Sequence, residues 1–301
     1  MRILVTGGTG FIGRALCGAL SRAGHQLRVP SRSAARARSA LPGVDVLDLP
    51  TTPVGWSAAV DGCDAIVNLA GESIAAGRWT AARKARIVES RVGTTRSLVA
   101  ACSAAASRPA ALVSASAIGY YGDRGADEVT EATPPGSDFL AEVCKRWEAE
   151  ALAAEKLGMR VVLTRLGVVL AEDGGALERM KLPFKLMIGG PLGNGRQWLS
   201  WIHRDDAVGL ITLALETAVL KGALNLTSPD PRTMHDFAKS LGRALHRPSW
   251  LPVPELALRL ALGEMAQMLL VSQRVLPVVA QKMGHAFRFA ALDDALAAVV
   301  A

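Results

Sequence analysis

Four closely spaced glycines near the start of the chain could do binding chemistry: Gly7, Gly8, Gly10 and Gly13. Their spacing satisfies both GxGxxG and GxxGxxG, between a predicted strand at 2–6 and a predicted helix at 11–23. Glycine permits a positive φ in the turn and close approach of the backbone to a diphosphate, whose oxygens then meet the free N–H groups of the helix. The run therefore predicts a dinucleotide-binding turn; the alternative is a glycine-rich turn without a ligand.

The end of the second predicted strand carries Arg32 between Ser31 and Ser33. A domain that prefers NAD usually offers Asp or Glu here to the ribose hydroxyls, and this chain has neither. A guanidinium and two hydroxyls suit the 2′-phosphate of NADP instead, so we expect NADP(H). The alternative is that Arg32 only lies on a solvent-facing turn. Three further arginines are additional candidates: Arg28, Arg36 and Arg38.

The elements that must position these residues alternate between strand and helix. Short β-type runs cover 2–6, 26–29, 44–47, 64–69, 111–114 and 160–166, and long helical patterns cover 11–23, 80–105 and 138–157. This order requires parallel pairing with right-handed crossovers. We therefore predict the α/β class, with a Rossmann-type doubly wound parallel sheet.

The pattern changes after about residue 169. A Gly/Pro-rich section at 189–195 precedes a predicted strand at 198–202, a helix at 205–216 and a strand at 223–226. We predict an NADP(H)-binding domain at 1–228, with an excursion near 171–197 towards the substrate region, and a smaller, mostly helical C-terminal substrate or cap domain at 229–301. Three tryptophans are expected in the core, with a substrate pocket as the alternative: Trp198, Trp201 and Trp250. Six C-terminal residues are also expected in the core, with a partner groove as the alternative: Leu260, Leu262, Met265, Met268, Leu269 and Leu270.

Composition excludes several classes of protein. The net charge is +7, but the arginines are scattered among alanines without aromatic residues between them, so we expect no nucleic-acid partner. The four cysteines form no CxxC pair, which predicts no metal site, no disulfide and a reducing compartment. Because no apolar stretch is long enough for a bilayer and no secretory leader precedes the first strand, we expect a cytoplasmic protein without a membrane partner. A homodimer is compatible with the sequence.

Several motifs resemble one protein family. The segments 6–13, 68–72 (NLAGE) and 114–122 (SASAIGYYG) resemble extended or atypical short-chain dehydrogenases/reductases, which include nucleotide-sugar epimerases. More narrowly, 71–72, 78–79, 90–91, 201–206 (WIHRDD), 225–229 (NLTSP), 251–254 (LPVP) and 262–265 (LGEM) resemble the branch called epimerase family proteins. Its members carry a C-terminal domain of unknown function, and the resemblance covers nearly the whole chain.

The resemblance implies NADP(H) along one edge of the sheet. Asp48 would lie near the adenine. The segment 165–168, which includes Leu166 and Gly167, would lie beside the nicotinamide, with the substrate between the two domains. Arg91 could face the phosphates. The full set of expected cofactor-binding residues is Gly7, Thr9, Gly10, Phe11, Ile12, Gly13, Ser31, Arg32, Ser33, Asp48, Leu69, Ala70, Gly71, Arg91, Ser114, Leu166 and Gly167.

The proton-transfer residues of this superfamily are incomplete here. Its members usually place Ser or Thr at the end of the fifth strand, and Tyr and Lys one turn apart on the next helix, where Lys lowers the pKa of the phenol. Ser116 matches the first position. Leu140 and Cys144 stand at the other two, and a shift by one residue gives Ala141 and Lys145. No register supplies the pair.

Four other residues are candidates for proton transfer: Tyr120, Tyr121, Glu72 and His203. The two tyrosines follow Ser116 and are alternatively aromatic residues that cover the cofactor. Glu72 follows the fourth strand at the ligand-binding edge of the sheet and alternatively forms a salt bridge within its loop. His203 has an imidazole, which titrates near neutral pH, and alternatively caps the next helix.

Two functions stay open. The first is an NADP(H)-dependent oxidoreductase or epimerase that acts on an unidentified small carbonyl or sugar-like substrate, and the cofactor motifs, Ser116 and the two-domain layout favour it. The second is a non-catalytic NADPH-binding or redox-sensing protein, indicated by the missing Tyr-Lys pair.

Overall fold

The computed structural model describes residues 1–300. Its strands are β1 (Arg2–Thr6), β2 (Gln26–Ser31), β3 (Asp45–Asp48), β4 (Ala65–Asn68), β5 (Ala111–Ala117), β6 (Glu128–Val129), β7 (Arg160–Leu166), β8 (Val168–Leu170), β9 (Trp198–Leu199), β10 (Trp201–His203), β11 (Gly222–Leu226), β12 (Arg232–Thr233) and β13 (Arg274–Val275). Its helices are α1 (Phe11–Arg22), α2 (Ala34–Ala40), α3 (Pro53–Val60), α4 (Ala81–Ala104), α5 (Phe139–Leu152), α6 (Gly175–Lys185), α7 (Arg204–Glu216), α8 (Met234–Ala244), α9 (Glu255–Leu262), α10 (Gln267–Leu270), α11 (Val278–Lys282) and α12 (Leu292–Val300).

Seven strands form one sheet in the order β11-β7-β5-β4-β1-β2-β3, and all neighbouring pairs are parallel. The order runs outward from β1 in both directions, so the chain winds first to one side and then to the other. The predicted α/β class and the Rossmann-type doubly wound sheet are confirmed.

Helices cover both faces of the sheet. Leu16 on α1 and Ile211 on α7 lie in the core of one face. Trp56 on α3 and Leu98 on α4 lie in the core of the other face. β4 is buried at all four positions, which explains why its sequence shows a continuous apolar run instead of alternation.

The predicted strand at 198–202 divides into β9 and β10 around Ser200. The Ser200 hydroxyl donates to the carbonyl of Gln273 at 2.8 Å and accepts from the N–H of Val275 at 2.8 Å. A side chain therefore joins this strand pair to the C-terminal region, and β9 pairs with β12 while β10 pairs with β8. Long-range contacts of this kind leave no local signal in the sequence.

The C-terminal part is mostly helical, as predicted. Phe237 on α8 and Leu296 on α12 pack with Trp201 in one buried cluster, and β13 pairs with β6. The core assignment was wrong at two positions, because Trp250 is 66% exposed and Leu260 is 70% exposed. The boundary at residue 229 stays a prediction.

Candidate functional site

The glycine turn forms a cradle between β1 and α1. Gly7 has φ +69°, and a Cβ there would lie 2.6 Å from the carbonyl oxygen of Leu69. A Cβ on Gly13 would lie 2.2 Å from the carbonyl oxygen of Gly7, so only hydrogen fits at either position. Gly10 is the N-cap of α1 and supplies no side-chain cap. The first N–H groups of α1, at Phe11 and Ile12 beside the exposed Thr9, thus have no helical acceptor.

Phe11 is covered by the start of α6. A Cβ on Gly174 or Gly175 would lie 3.1 Å or 2.9 Å from the Phe11 ring. The guanidinium of Arg204 lies 5.3 Å from the centroid of that ring and pairs with Asp173. Residues far apart in the sequence therefore enclose the first turn of α1.

Three neighbouring strands bring Thr6, Asn68 and the predicted residue Ser114 together. Thr6 on β1 is level with Asn68 on β4, and Asn68 is level with Ser114 on β5. The Thr6 hydroxyl donates to the Asn68 Oδ1 at 2.7 Å, and the Asn68 amide donates to the Ser114 hydroxyl at 3.3 Å. These buried hydrogen bonds hold the carboxyl edge of the sheet, from which Leu69 and Ala70 continue.

Gly71 lies against Arg91 on α4. A Cβ on Gly71 would lie 3.1 Å from the guanidinium carbon of Arg91. The Arg91 Nη1 donates to the carbonyl oxygens of Glu72 and Ile87, at 3.0 Å and 3.2 Å. Arg91 therefore fixes the loop after β4.

Arg32 directly follows the last residue of β2. Ser31 is level with Asp48 on β3, so the two residues share an edge of the sheet. Arg32 and Ser33 are exposed, and Arg32 forms no ion pair with any residue in 1–300. Arg36 is exposed on α2.

Two of the additional arginines have structural contacts instead. Arg28 donates to the carbonyl oxygens of Ala58, Ala59 and Asp61 and pairs with Asp45. Arg38 donates to the carbonyl oxygen of Val46 at 3.3 Å. Their guanidinium groups join neighbouring elements, which leaves Arg32 and Arg36 as the arginines available there.

Ser116 is bound to a buried carboxylate. Its hydroxyl donates to the Glu148 Oε1 at 2.6 Å. Glu148 lies on α5 and accepts two hydrogen bonds of 2.8 Å from Arg165 on β7. The predicted residues Leu166 and Gly167 follow Arg165 directly, and Leu166 is level with Ala117 on β5.

The two tyrosines have different surroundings. Tyr121 is fully buried, its hydroxyl donates to the Asn225 Oδ1 at 2.7 Å, and it accepts from the Arg165 Nη1 at 2.9 Å. Burial raises the pKa of Tyr121 to about 12, against the opposing effect of Arg165. Tyr120 is only half-buried, and its ring centroid lies 3.5 Å from the guanidinium carbon of Arg165. Tyr120 is therefore the tyrosine whose hydroxyl is not held in the interior.

Glu72 and His203 have partners that suit structural roles. Glu72 pairs with Arg83 at 2.6 Å and with Arg86 at 3.6 Å. His203 is the N-cap of α7, and its Nδ1 accepts from the N–H of Asp205 at 3.1 Å. Burial lowers the pKa of His203 from 6.5.

The positions expected for Tyr and Lys are apolar. A Cβ on Gly119 would lie 3.3 Å from the Cβ of Leu140, which belongs to an apolar cluster with Trp79 and Met265. Cys144 is buried, its thiol donates to the carbonyl of Ala117 at 3.7 Å, and burial raises its pKa to about 11. Neither side chain can act as an acid near neutral pH.

Sequence reasoning missed the network of Glu148, Arg165 and Asn225. A signal existed at Arg165, because a charge inside an apolar central strand requires a buried partner. Asn225 offers no such signal, since its partner Tyr121 is 104 residues away.

Residues 1–300 hold no group of three or more His, Cys, Asp or Glu side chains that could bind a metal ion. In the same part of the chain no helix has the length and hydropathy that crossing a bilayer requires.

The comparisons with known proteins agree with this geometry. Residues 3–226 match the model of the NAD dependent epimerase/dehydratase family. The chain belongs to this family. Residues 253–299 match a domain of unknown function, DUF1731. The resemblance inferred from the motifs is confirmed.

Three relatives are similar to this member of the epimerase/dehydratase family over its full length. The Arabidopsis thaliana "Epimerase family protein SDR39U1 homolog, chloroplastic" is 45% identical over 100% of this chain and 87% of its own. The Bacillus subtilis epimerase family protein YfhF is 41% identical, over 100% and 98%. The crystal structure of human epimerase family protein SDR39U1 (isoform 2) with NADPH superposes with a TM-score of 0.89 at 36% identity, over 100% and 99% of the two chains.

Proposed function

We propose that this chain binds NADP(H) and is an NADP(H)-dependent oxidoreductase or epimerase for a small carbonyl or sugar-like substrate. The observation that carries the proposal is the glycine cradle, where Cβ atoms on Gly7 or Gly13 would overlap the backbone and the first N–H groups of α1 have no side-chain cap. NADPH in the human relative, at 36% identity, supports the same cofactor here.

The residues present fit this cofactor. The free N–H groups of Phe11 and Ile12 would bind the diphosphate, whereas the N–H of Gly10 already donates to the carbonyl of Gly7 at 2.9 Å. Arg32, which is exposed and without an ionic partner among the described residues, would bind the 2′-phosphate with Ser31 and Ser33. Asp48 would face the adenosine, and the loop at 69–71, held by Arg91, would line the ribose side. Ser114 inside β5, and Leu166 and Gly167 at the end of β7, would lie nearest the nicotinamide.

The bound nicotinamide would supply hydride transfer, and the chain would supply the proton. Tyr120 is the proposed proton-transfer residue, because its half-buried ring stacks on Arg165 and its hydroxyl makes no hydrogen bond with another residue of 1–300. Ser116 is buried and its hydroxyl donates a hydrogen bond to Glu148, so its proposed role is to hold that carboxylate in place. Tyr121, Glu72 and His203 are proposed to hold the site together.

Turnover tests this assignment. The purified protein is incubated with NADPH and panels of carbonyl compounds and nucleotide sugars, and NADPH absorbance and product are followed. We expect Tyr120→Phe to lower kcat by about a hundredfold or more, as removal of an acid-base group does, while NADPH affinity is unchanged. Turnover that survives Tyr120→Phe would reject Tyr120, and tight NADPH binding without turnover of any substrate would reject the enzyme proposal.

A second function is favoured by one observation. The partly buried Leu140, which lies in an apolar cluster, and the buried Cys144 stand where the superfamily has its Tyr and Lys. A protein that binds NADP(H) without turnover and reports the redox state of the cofactor fits these positions. Limited proteolysis with saturating NADP+ or NADPH distinguishes it: different cleavage patterns support sensing, and identical patterns reject it.

A further inference from the structure

An exposed apolar surface lies at the end of α6, in the segment before α9 and on α9 itself. It consists of Leu182, Leu186, Met187, Ile188, Trp250, Leu251, Leu256 and Leu260, each 39–70% exposed. We call these eight residues the α6–α9 surface. Large apolar side chains exposed singly are ordinary, but a contiguous group usually marks a site of interaction.

Hydrogen bonds join the two halves of the α6–α9 surface. The N–H of Leu251 donates to the carbonyl of Gly189 at 3.1 Å, which brings the segment that follows Ile188 against the segment that follows Trp250. Both helices are also fixed to the loop after β4. Arg179 on α6 donates to the carbonyl of Ala75, and Arg78 donates to the carbonyl of Ala261 at 3.0 Å. The two helices therefore lie beside the same loop.

The backbone holds part of this surface in an unusual conformation. Met187 has φ +65°, in the left-handed region that residues with a Cβ rarely adopt. The N–H of Met187 donates to the carbonyl of Phe184 at 2.9 Å, and the N–H of Ile188 donates to the carbonyl of Pro183 at 3.0 Å. Phe184 is buried while Met187 and Ile188 are about half exposed, so the turn presents two apolar side chains to solvent. Strain of this kind is concentrated at functional sites.

The charges around the α6–α9 surface are mainly positive. Several cations make no ion pair with a carboxylate of residues 1–300: Arg78, Arg179, Lys181, Lys185 and Arg247. Glu255 on α9 pairs with Arg259 at 2.7 Å. Glu178 on α6 makes no ion pair with a residue of 1–300. An apolar surface with an exposed tryptophan and a cationic border matches the interface of an anionic bilayer.

We propose that the α6–α9 surface docks on a bilayer that contains anionic lipid, with its apolar side chains among the acyl chains and its lysines at the headgroups. A second copy of the chain fits less well, because a symmetric contact through this surface would bring two mainly cationic borders together. The proposal revises the expectation of no membrane partner, which considered only segments able to span a bilayer. It does not depend on the proposed enzymatic activity.

Vesicle flotation tests the proposal directly. The full chain is mixed with phosphatidylcholine vesicles, with or without phosphatidylglycerol, at low and high salt. We expect binding to the vesicles with phosphatidylglycerol, weakened by salt. Lys181→Gln with Lys185→Gln should weaken it by roughly fivefold for each charge removed. Leu186→Glu with Ile188→Glu should weaken it by at least about tenfold, because two apolar side chains no longer insert.

Val219→Glu is the matched control. Val219 is 80% exposed but lies between α7 and β11, outside the α6–α9 surface, so vesicle binding should be unchanged within about twofold. A thermal melt and an NADPH titration of each variant verify the fold.

Three results would overturn the proposal. The first is no binding of the wild-type chain to either vesicle. The second is equal loss of binding in Val219→Glu and in the Leu186→Glu, Ile188→Glu variant. The third is a concentration-dependent dimer that the double glutamate variant dissociates, without vesicle binding, which would assign the surface to a second copy of the chain.

Discussion

Glu148 and Arg165 form a buried ion pair through two parallel hydrogen bonds, each 2.8 Å long. Both residues are at most 5% exposed, and the carboxylate of Glu148 also accepts a hydrogen bond from the Ser116 hydroxyl. The pair links α5 to β7 directly beneath the candidate site. A buried ion pair matters for stability mainly because removing one partner leaves the other charge buried and uncompensated.

Removal of one partner should therefore be costly. Glu148→Gln leaves the guanidinium of Arg165 buried without a counter-charge, and we expect the free energy of unfolding to fall by about 3–5 kcal/mol. Urea denaturation measures it. Glu150→Gln is the control on the same helix, since Glu150 pairs with the exposed Arg96 and should change the midpoint little. An equal loss of unfolding free energy in the two variants would contradict the prediction that the buried ion pair matters more than the exposed one.

The glycine cradle predicts opposite outcomes for two glycines of α1. An alanine at Gly13 places its Cβ 2.2 Å from the carbonyl oxygen of Gly7, which should cost about 1–3 kcal/mol and abolish NADPH binding. Gly18→Ala is the control, because the nearest atom is the mobile Arg22 Nη1 at 3.4 Å. It should stabilise the chain by about 0.5–1 kcal/mol and preserve binding. Thermal melts and NADPH titrations check both, and full NADPH affinity in Gly13→Ala would contradict the cradle.

Tyr121 should ionise at unusually high pH. The chain has two tyrosines, so Tyr120→Phe leaves Tyr121 as the only source of tyrosinate absorbance. We expect its transition near pH 12 instead of 10, because burial disfavours the phenolate. Between these values the unfolded chain releases the proton first, so stability should fall as pH rises through this range. A transition near pH 10 in the folded variant would contradict the buried position.

His203 should make the fold sensitive to mild acid. Burial lowers its pKa from 6.5, and the nearby Arg288 acts in the same direction while Asp205 and Asp206 oppose it. Below pH 6.5 the unfolded chain binds the proton more readily, so stability is lost as pH falls through the lowered pKa.

His203→Asn keeps an acceptor for the N–H of Asp205 but removes the titration. We therefore expect a smaller loss of stability on acidification, measured by urea denaturation at several pH values. His285, whose pKa burial also lowers, would account for the remaining dependence. An unchanged pH dependence in His203→Asn would reject the role of His203.

The sequence predicted the fold because its signals are local. The alternation of strand and helix implies parallel pairing, and parallel pairing places the ends of β1 and β4 level with each other and with Ser114 inside β5, as Thr6 and Asn68 show. The cofactor cradle was visible for the same reason, since Gly7 and Gly13 belong to one turn.

The remaining features depend on contacts between distant residues. Tyr121 and Asn225 are 104 residues apart, and neither residue alone indicates the other. Leucines at helical spacing predicted a core around Leu260, but the neighbouring Leu258 is buried and Leu260 is exposed. The side of α9 that is buried depends on contacts with distant residues, such as the hydrogen bond from Arg78 to the carbonyl of Ala261.

Arg32 is proposed to select the 2′-phosphate of NADP(H), beyond the diphosphate at the glycine cradle. Isothermal titration of the wild-type chain and of Arg32→Gln with NADPH and with NADH measures it most directly, with the exposed Arg22→Gln as control. We expect the wild-type chain to bind NADPH more tightly than NADH. Loss of a charged hydrogen bond in Arg32→Gln should weaken NADPH binding by about ten- to a hundredfold and leave NADH binding unchanged. Failure of the wild-type chain to bind either nucleotide, or a preference for NADH that Arg32→Gln does not alter, would contradict the claim.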